Sequence, residues 1–331
     1  MTRGKAYAVA GDKSETVGEI PAACANERTA VEFFERKRWG NTPACPRCGD
    51  TDVYQMQDRT GERSKRFLWD CRGCRQQFTV RIGTILQDSR VPLRHWCYAF
   101  WAACASKKGV SSLQIKRQTG LSYKSALFLM HRVRAAMAEE PQGQLGGSVE
   151  VDETYVGGKP RKGSAVPHPL RRGYKKGPAR DFKDRKFPVV AMVERGGRVR
   201  AMVPEHVTAA NLRSVMEANI SPSARLMTDE LNPYAAIGQG FAQHETVNHS
   251  RYEFARGDVT TNTVEGFFSL LKRGMMGTFH KVSRKHLHRY VSEFEFRYNT
   301  RTLDDGERTV RAIRGAEGKR LLKGYRQPEA I

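Results

Sequence analysis

Ser148-Val149-Glu150-Val151-Asp152-Glu153-Thr154-Tyr155 alternates apolar with polar side chains, the two-residue period of a half-buried strand. Asp152 interrupts that strand with a carboxylate, and buried carboxylates are rarely found without a partner or a metal. Working outward, strands are predicted over Phe187 to Glu194 and Arg198 to Val203, joined at Gly196-Gly197. A helix capped by Thr208 follows, with Leu212, Val215 and Met216 turned inward. Then come the short strand Arg225-Leu226-Met227-Thr228-Asp229, a short helix from Pro233, a strand over Glu245 to Asn248, and a long helix through Glu265. Three strands, helix, strand, helix, strand, helix is the order of an RNase H-like fold, an α/β mixed-sheet domain over residues 147–305.

The long helix reads Asn262-Thr263-Val264-Glu265-Gly266-Phe267-Phe268-Ser269-Leu270-Leu271-Lys272-Arg273, with apolar residues at 264, 267, 268 and 271 in helical steps of three and four. Asp229 and Glu265 have 35 residues between them. Two strand carboxylates and one helix carboxylate can converge on one point, and hard oxygen ligands of this kind suit Mg²⁺ or Mn²⁺. Paired ions in such a site activate the attacking oxygen and stabilise the leaving one in phosphoryl transfer. Lys272 falls two helical turns after Glu265 on the same face, where its cation can hold a phosphate. Asn262 stands one turn before Glu265 on nearly the same face and is the alternative third ligand.

The 331-residue chain carries 57 Lys and Arg against 35 Asp and Glu, a net charge of +22, which points to a polyanionic partner. No run of apolar residues is long enough to span a bilayer, and the N-terminus leads into no apolar signal segment. A soluble cytoplasmic protein with no membrane partner is expected. Cys45-Pro46-Arg47-Cys48 and Cys71-Arg72-Gly73-Cys74, with 22 residues between them, have the spacing of a four-thiolate ribbon holding one structural Zn²⁺. Cys97 and Cys104 sit in an apolar helical pattern and read as core residues, and Cys24 as an incidental thiol. A leading helix from Arg28 to Arg38 and strands at Gln55 to Asp58, Lys65 to Asp70 and Gln77 to Arg81 complete a zinc ribbon over 28–84. Residues 1–27 show no periodicity and are expected to be disordered.

Residues 90–140 read as helical. Pro92 starts one helix, with Trp96, Phe100 and Trp101 inward; Ser111 or Ser112 caps a second, Gly120 ends it, and Ser122 caps a third. The last two resemble a helix-turn-helix packed through Leu113, Ile115, Leu121, Ala126, Leu129, Val133 and Met137. Tyr123, Lys124, His131, Arg132 and Arg134 would then enter a major groove. A Gly-rich linker from Pro141 to Gly147 separates this region from the catalytic domain. Within that domain an insertion over 157–186 carries 11 Lys or Arg between Lys159 and Lys186, among them Arg171, Arg172, Lys175 and Lys176. One-sign charge beside a phosphodiester site reads as a DNA clamp. Residues 306–331 read as a C-terminal tail.

These motifs, together with Val151-Asp152-Glu153-Thr154-Tyr155-Val156-Gly157-Gly158-Lys159, Thr228-Asp229 and Phe294-Glu295-Phe296-Arg297-Tyr298-Asn299, resemble bacterial insertion-sequence transposases. The subgroup joins an N-terminal zinc ribbon to an Asp-Asp-Glu/Asn catalytic domain. The resemblance implies binding to the element's terminal inverted repeats, DNA cleavage, and joining of 3′ hydroxyls to target DNA. It implies two metal ions on Asp152, Asp229 and Glu265, phosphate contact by Lys272 beside Arg273, and a homo-oligomer, at least a dimer when synapsed on DNA. The competing functions are a non-catalytic DNA-binding regulator and an RNase H-fold nuclease or resolvase.

Overall fold

The computed structural model describes residues 18–140, 142–157 and 186–322. Most of the basic insertion, with Arg171, Arg172, Lys175 and Lys176, lies outside the described residues, as do residues 1–17 and 323–331. The chain forms two compact units, Met1–Glu139 with Thr300–Ile331, and Glu140–Asn299.

The first unit begins with α1 (Ile20–Ala25) and α2 (Glu27–Trp39). The expectation that 1–27 lacks structure is therefore corrected for its described end: Ile20 and Ala23 are buried, and the Asn26 side chain accepts from Thr29 N–H (2.9 Å) to cap α2. Next comes a three-stranded antiparallel sheet, β1 (Val53–Gln55), β2 (Trp69–Cys71) and β3 (Gln77–Phe78). Trp69 lies between Phe78 (centroids 6.4 Å, stacked) and Trp39 of α2 (5.8 Å, edge-on), which gives the small ribbon an apolar core. Glu35, buried in α2, accepts from Trp69 Nε1 (2.7 Å) and pairs with Arg63 (2.5 Å), tying helix to sheet.

After the ribbon come α3 (Leu93–Ala105), α4 (Ser112–Thr119) and α5 (Tyr123–Met137). Their boundaries follow from local chemistry. Ser111 and Ser122 cap α4 and α5 by accepting from Gln114 N–H (3.1 Å) and Ser125 N–H (3.2 Å). Gly120 ends α4 at φ 71°, a left-handed conformation that favours glycine. Trp96, Cys97, Phe100 and Cys104 of α3 are buried as expected, whereas Leu113, assigned to the packing face, is 54% exposed.

The second unit holds β4 (Ser148–Val156), β5 (Phe187–Glu194), β6 (Val199–Met202), α6 (Ala209–Asn219), β7 (Arg225–Thr228), α7 (Asn232–Gly238), β8 (Gln243–Thr246), the hairpin β9 (Ala255–Arg256) and β10 (Val259–Thr260), α8 (Asn262–Gly274) and α9 (Arg284–Asn299). The five-stranded sheet runs β6-β5-β4-β7-β8, with the first three strands antiparallel and β4, β7 and β8 parallel. This is the element order expected of an RNase H-like fold, with an added hairpin, β9–β10, and a further helix, α9.

Helices cover both faces of the sheet. Val264, Phe267, Phe268 and Leu271 of α8 and Leu287, Val291 and Phe294 of α9 pack on one side with Val189, Ala191 and Val193. Leu212 and Met216 of α6 and Tyr234 and Ile237 of α7 pack on the other with Val149, Val151 and Leu226. The half-buried reading of β4 is thus corrected. As the central strand it is covered twice, and its polar positions Glu150 and Thr154 are 0% and 6% exposed. Gly274 brings α8 against the Phe294 ring, where a Cβ would stand 2.1 Å from Cζ.

The chain then returns to the first unit. α10 (Asp305–Arg314) packs against α2, α3 and α5, which corrects the expectation of a tail over 306–331 for its described part. Ala316 accepts from Ile85 N–H (2.9 Å), and Glu317 takes both ends of the Arg38 fork (2.7 and 2.6 Å).

Candidate active site

β4 and β7 pair in parallel with Ser148 opposite Arg225, Val149 opposite Leu226 and Glu150 opposite Met227. β7 ends at Thr228, so Asp229 stands one residue past that strand and Asp152 two residues past its last pair with it. Residues two apart on a strand point to the same side of a sheet. Glu150 reaches α8, where it accepts from Thr263 N–H (2.7 Å), Val264 N–H (3.0 Å) and the Thr263 hydroxyl (2.8 Å). Asp152, two residues on, faces the same way, toward the first turn of α8 that carries Glu265. Glu153 faces the opposite layer and accepts from Tyr234 Oη (2.8 Å).

Electrostatics record the convergence. Burial raises the Asp152 carboxyl to about 7; the 2.7 Å hydrogen bond from Glu153 N–H opposes this, and the charges of Glu153, Asp229 and Glu265 add to it. Burial also raises Asp229, against the hydrogen bond from Leu231 N–H (3.0 Å); Glu230 raises it further and His249 lowers it. Burial raises Glu153 in turn, opposed by the Tyr234 bond and reinforced by Asp229. Like-charged oxygen donors held together in a partly desolvated place are what a hard divalent cation would relieve, so the donor set fits Mg²⁺ or Mn²⁺. Glu265, Asn262, Lys272 and Arg273 are exposed on α8.

Two residues here gave no recognisable signal in the sequence. Glu150 has 0% exposure, pairs with Arg195 (2.7 Å), and satisfies amides at the start of α8 that no helix carbonyl can reach. It fixes where that helix begins. His249 lies in a 3₁₀ turn, His249–Arg251, held by Glu230, which accepts from His249 N–H (2.9 Å), Ser250 N–H (3.0 Å) and Ser250 Oγ (2.6 Å). Its Nε2 stands 3.7 Å from Glu265 Oε1, and the buried Thr261 hydroxyl lies 3.4 Å from His249 and 3.2 Å from Glu265.

In the first unit, Cys45, Cys48, Cys71 and Cys74 are the set of His, Cys, Asp or Glu ligands among the described residues whose atoms all fall within 4.8 Å of one another. As a trio, the oxygens of Asp152, Asp229 and Glu265 are more widely spaced. The Cys45–Cys74 and Cys48–Cys71 sulfur separations are 3.7 and 3.6 Å. Tetrahedral Zn–S bonds of about 2.3 Å require sulfur spacings near 3.8 Å, so the four thiolates fit one Zn²⁺.

The basic face assigned to α5 is corrected. Arg132 and Arg134 are 4% and 0% exposed, and His131 is also buried. Arg132 stacks on Phe128 (4.7 Å) and donates to the carbonyls of Leu321 and Gln87, both at 3.1 Å. The part of α5 with these residues is enclosed by the returning C-terminal segment, so the guanidiniums serve the core. Lys124 and Tyr123, in the first turn, remain exposed.

Residues 144–299 match the ISXO2-like transposase domain, and residues 25–77 match the transposase zinc-ribbon domain. The chain belongs to the insertion-sequence transposases with an N-terminal zinc ribbon. It is also similar to an uncharacterized protein in transposable element ISH50 of Halobacterium salinarum, 28% identical over 275 residues, which cover 82% of this chain and 90% of that protein. The transposase match runs from just before β4 to the end of α9 and so spans Asp152, Asp229 and Glu265. The ribbon match contains all four clustered cysteines. Among the described residues, no helix of this transposase is long and apolar enough to cross a membrane.

Proposed function

We propose that this transposase binds the terminal inverted repeats of its element and catalyses metal-dependent strand cleavage and transfer at Asp152, Asp229 and Glu265. The observation that carries the reading is the proximity of Asp152 on β4, Asp229 just past β7 and Glu265 on α8, close enough that the charges of Asp229 and Glu265 add to burial in raising the Asp152 carboxyl to about 7. Two Mg²⁺ or Mn²⁺ ions held there would supply activation of the attacking oxygen and stabilisation of the leaving one. Glu265 is preferred to Asn262 as the third ligand because a carboxylate binds such ions more strongly than an amide and its charge is felt at Asp152. Glu150 holds the start of α8 in place, and Lys272, exposed on the same helix with Arg273, meets DNA phosphates.

DNA is gripped elsewhere by cations that tolerate sequence. Lys124 lies at the exposed start of α5, and the insertion with Arg171, Arg172, Lys175 and Lys176 adds an electrostatic clamp. A homo-oligomer, at least a dimer on paired element ends, brings two such sites to one synapse. The test is cleavage of duplex DNA taken from the ends of the element, with binding measured in parallel. Asp152→Ala and Asp229→Ala should abolish strand cleavage and leave binding intact. Undiminished cleavage by either variant would overturn the assignment.

A further inference from the structure

The loop that carries His249 continues into a feature that neither the fold nor the acidic site uses. Tyr252 is 85% exposed and Phe254 58% exposed, in a unit where, among the described residues, most other aromatic side chains lie in the core and Tyr155 is 49% exposed. Tyr252 also sits at φ 61°, a left-handed conformation that a bulky residue adopts only when its surroundings enforce it. Here they do. Glu230 anchors His249 and Ser250, the Asn248 side chain accepts from Arg251 N–H (3.0 Å), and Tyr252 N–H and Glu253 N–H donate to the carbonyls of His249 and Asn248 (3.0 Å each). Phe254 packs on the His249 ring at 5.4 Å. A strained backbone is thus held rigid, and its result is an aromatic ring presented to solvent.

The anchors of this loop adjoin two of the three site carboxylates. Glu230 follows Asp229 directly, and His249 is 3.7 Å from Glu265. Arg251 and Arg256, both exposed, lie before and after Tyr252 in the chain, Arg256 donating to the Thr246 carbonyl (3.2 Å) and pairing with Glu253 (3.7 Å). Exposed aromatics in a short segment that also carries two exposed arginines, next to the proposed phosphodiester site, match a nucleobase with its phosphates. A second copy of this chain, at net charge +22, would meet those cations with like charge.

We infer that the loop over 249–256 is a nucleobase-stacking platform, with the Tyr252 ring receiving an unstacked base of the element's DNA beside the bond to be cut. This rests on the strand-transfer reading of the acidic site. Removing a stacked base's aromatic partner typically weakens the interaction by about tenfold to a hundredfold.

The experiment uses the full zinc-loaded chain and duplex DNA from the element's ends, with 5-iodouracil placed next to the cleavage point. Photo-cross-linking needs no catalysis and should map to Tyr252. Tyr252→Ala and Tyr252→Gly should cut the paired duplex roughly tenfold or more slowly, while Tyr252→Trp keeps activity. Mismatches that pre-open the flanking base pair should restore much of the loss. Tyr252→Gly, suited to the left-handed backbone, should match or exceed the wild-type melting temperature, which separates lost stacking from lost folding. A cross-link at Tyr252 in wild-type protein that cuts no DNA would support the platform and refute the strand-transfer chemistry instead. Absence of the cross-link, or wild-type cutting rates in Tyr252→Ala, would overturn the inference. So would a Tyr252→Ala variant that only converts a DNA-free dimer to monomer, since the ring would then serve a protein interface.

Discussion

Glu150 shows how a single buried charge can set a site without touching substrate. Its carboxylate has no exposure, yet four donors meet it: two amides and a hydroxyl from the start of α8, and the Arg195 guanidinium. Breaking a buried pair of this kind costs about 3–5 kcal/mol because the partner charge is left uncompensated. Glu150→Ala should therefore lose stability of that order in chemical denaturation, and Glu150→Gln, which still accepts hydrogen bonds, should lose less. Both should impair cutting through misplacement of Glu265 with little change in DNA affinity. Asp152 presents the opposite balance. Its native carboxyl is raised to about 7, so between the ordinary aspartate range and 7 the folded chain binds more protons than the unfolded one. Its contribution to stability is thus fully present at low pH and is lost as pH rises through about 7. Asp152→Asn, which cannot ionise, should raise the melting temperature above pH 7 while removing activity; a lower melting temperature would contradict the burial described here.

At the scale of elements, periodicity and caps were legible where local chemistry decides. Ser111, Gly120 and Ser122 bound α4 and α5 as predicted, and the apolar stripe of α8 is the buried one. What failed was the assignment of faces. β4 alternates polar and apolar, but which side meets water depends on the layers around it, and Glu150 is polar because it caps a helix more than a hundred residues away. Arg132 and Arg134 looked like a groove-reading surface because charge in sequence does not reveal the C-terminal segment that encloses them. That segment had a signal, since Asp304 and Glu307 have capping spacing and Asp304 accepts from Glu307 N–H (2.8 Å). The corrected faces give a clear contrast. Arg132→Gln should destabilise by about 2 kcal/mol and leave DNA affinity of the folded protein unchanged. Lys124→Ala should leave stability unchanged and, in titrations across salt concentrations, reduce the salt slope of binding by about one unit. A reversed pattern would restore the original reading of α5.

Across the whole molecule, the two kinds of ligand set follow from two kinds of sequence signal. The cysteine pairs are local, so the four-thiol cluster could be read from spacing alone, and Zn²⁺ explains why so small a ribbon folds around three short strands. The proposed acidic set is non-local. Asp152 and Asp229 come near one another only through the parallel pairing of β4 with β7, and Glu265 joins them only through α8, so the sequence could nominate these residues but not place them. It gave no indication of His249, Glu150 or the Tyr252 loop, which owe their roles to contacts across that assembly. The central claim is that the three carboxylates form one metal centre. It is tested most directly by titrating Mn²⁺ into the zinc-loaded chain bound to element-end DNA and counting bound ions by electron paramagnetic resonance. Wild-type protein should bind Mn²⁺ at a site weakened severely by Asp152→Asn and by Glu265→Gln but only slightly by Asn262→Ala. Equal Mn²⁺ binding by wild type, Asp152→Asn and Glu265→Gln would contradict the account.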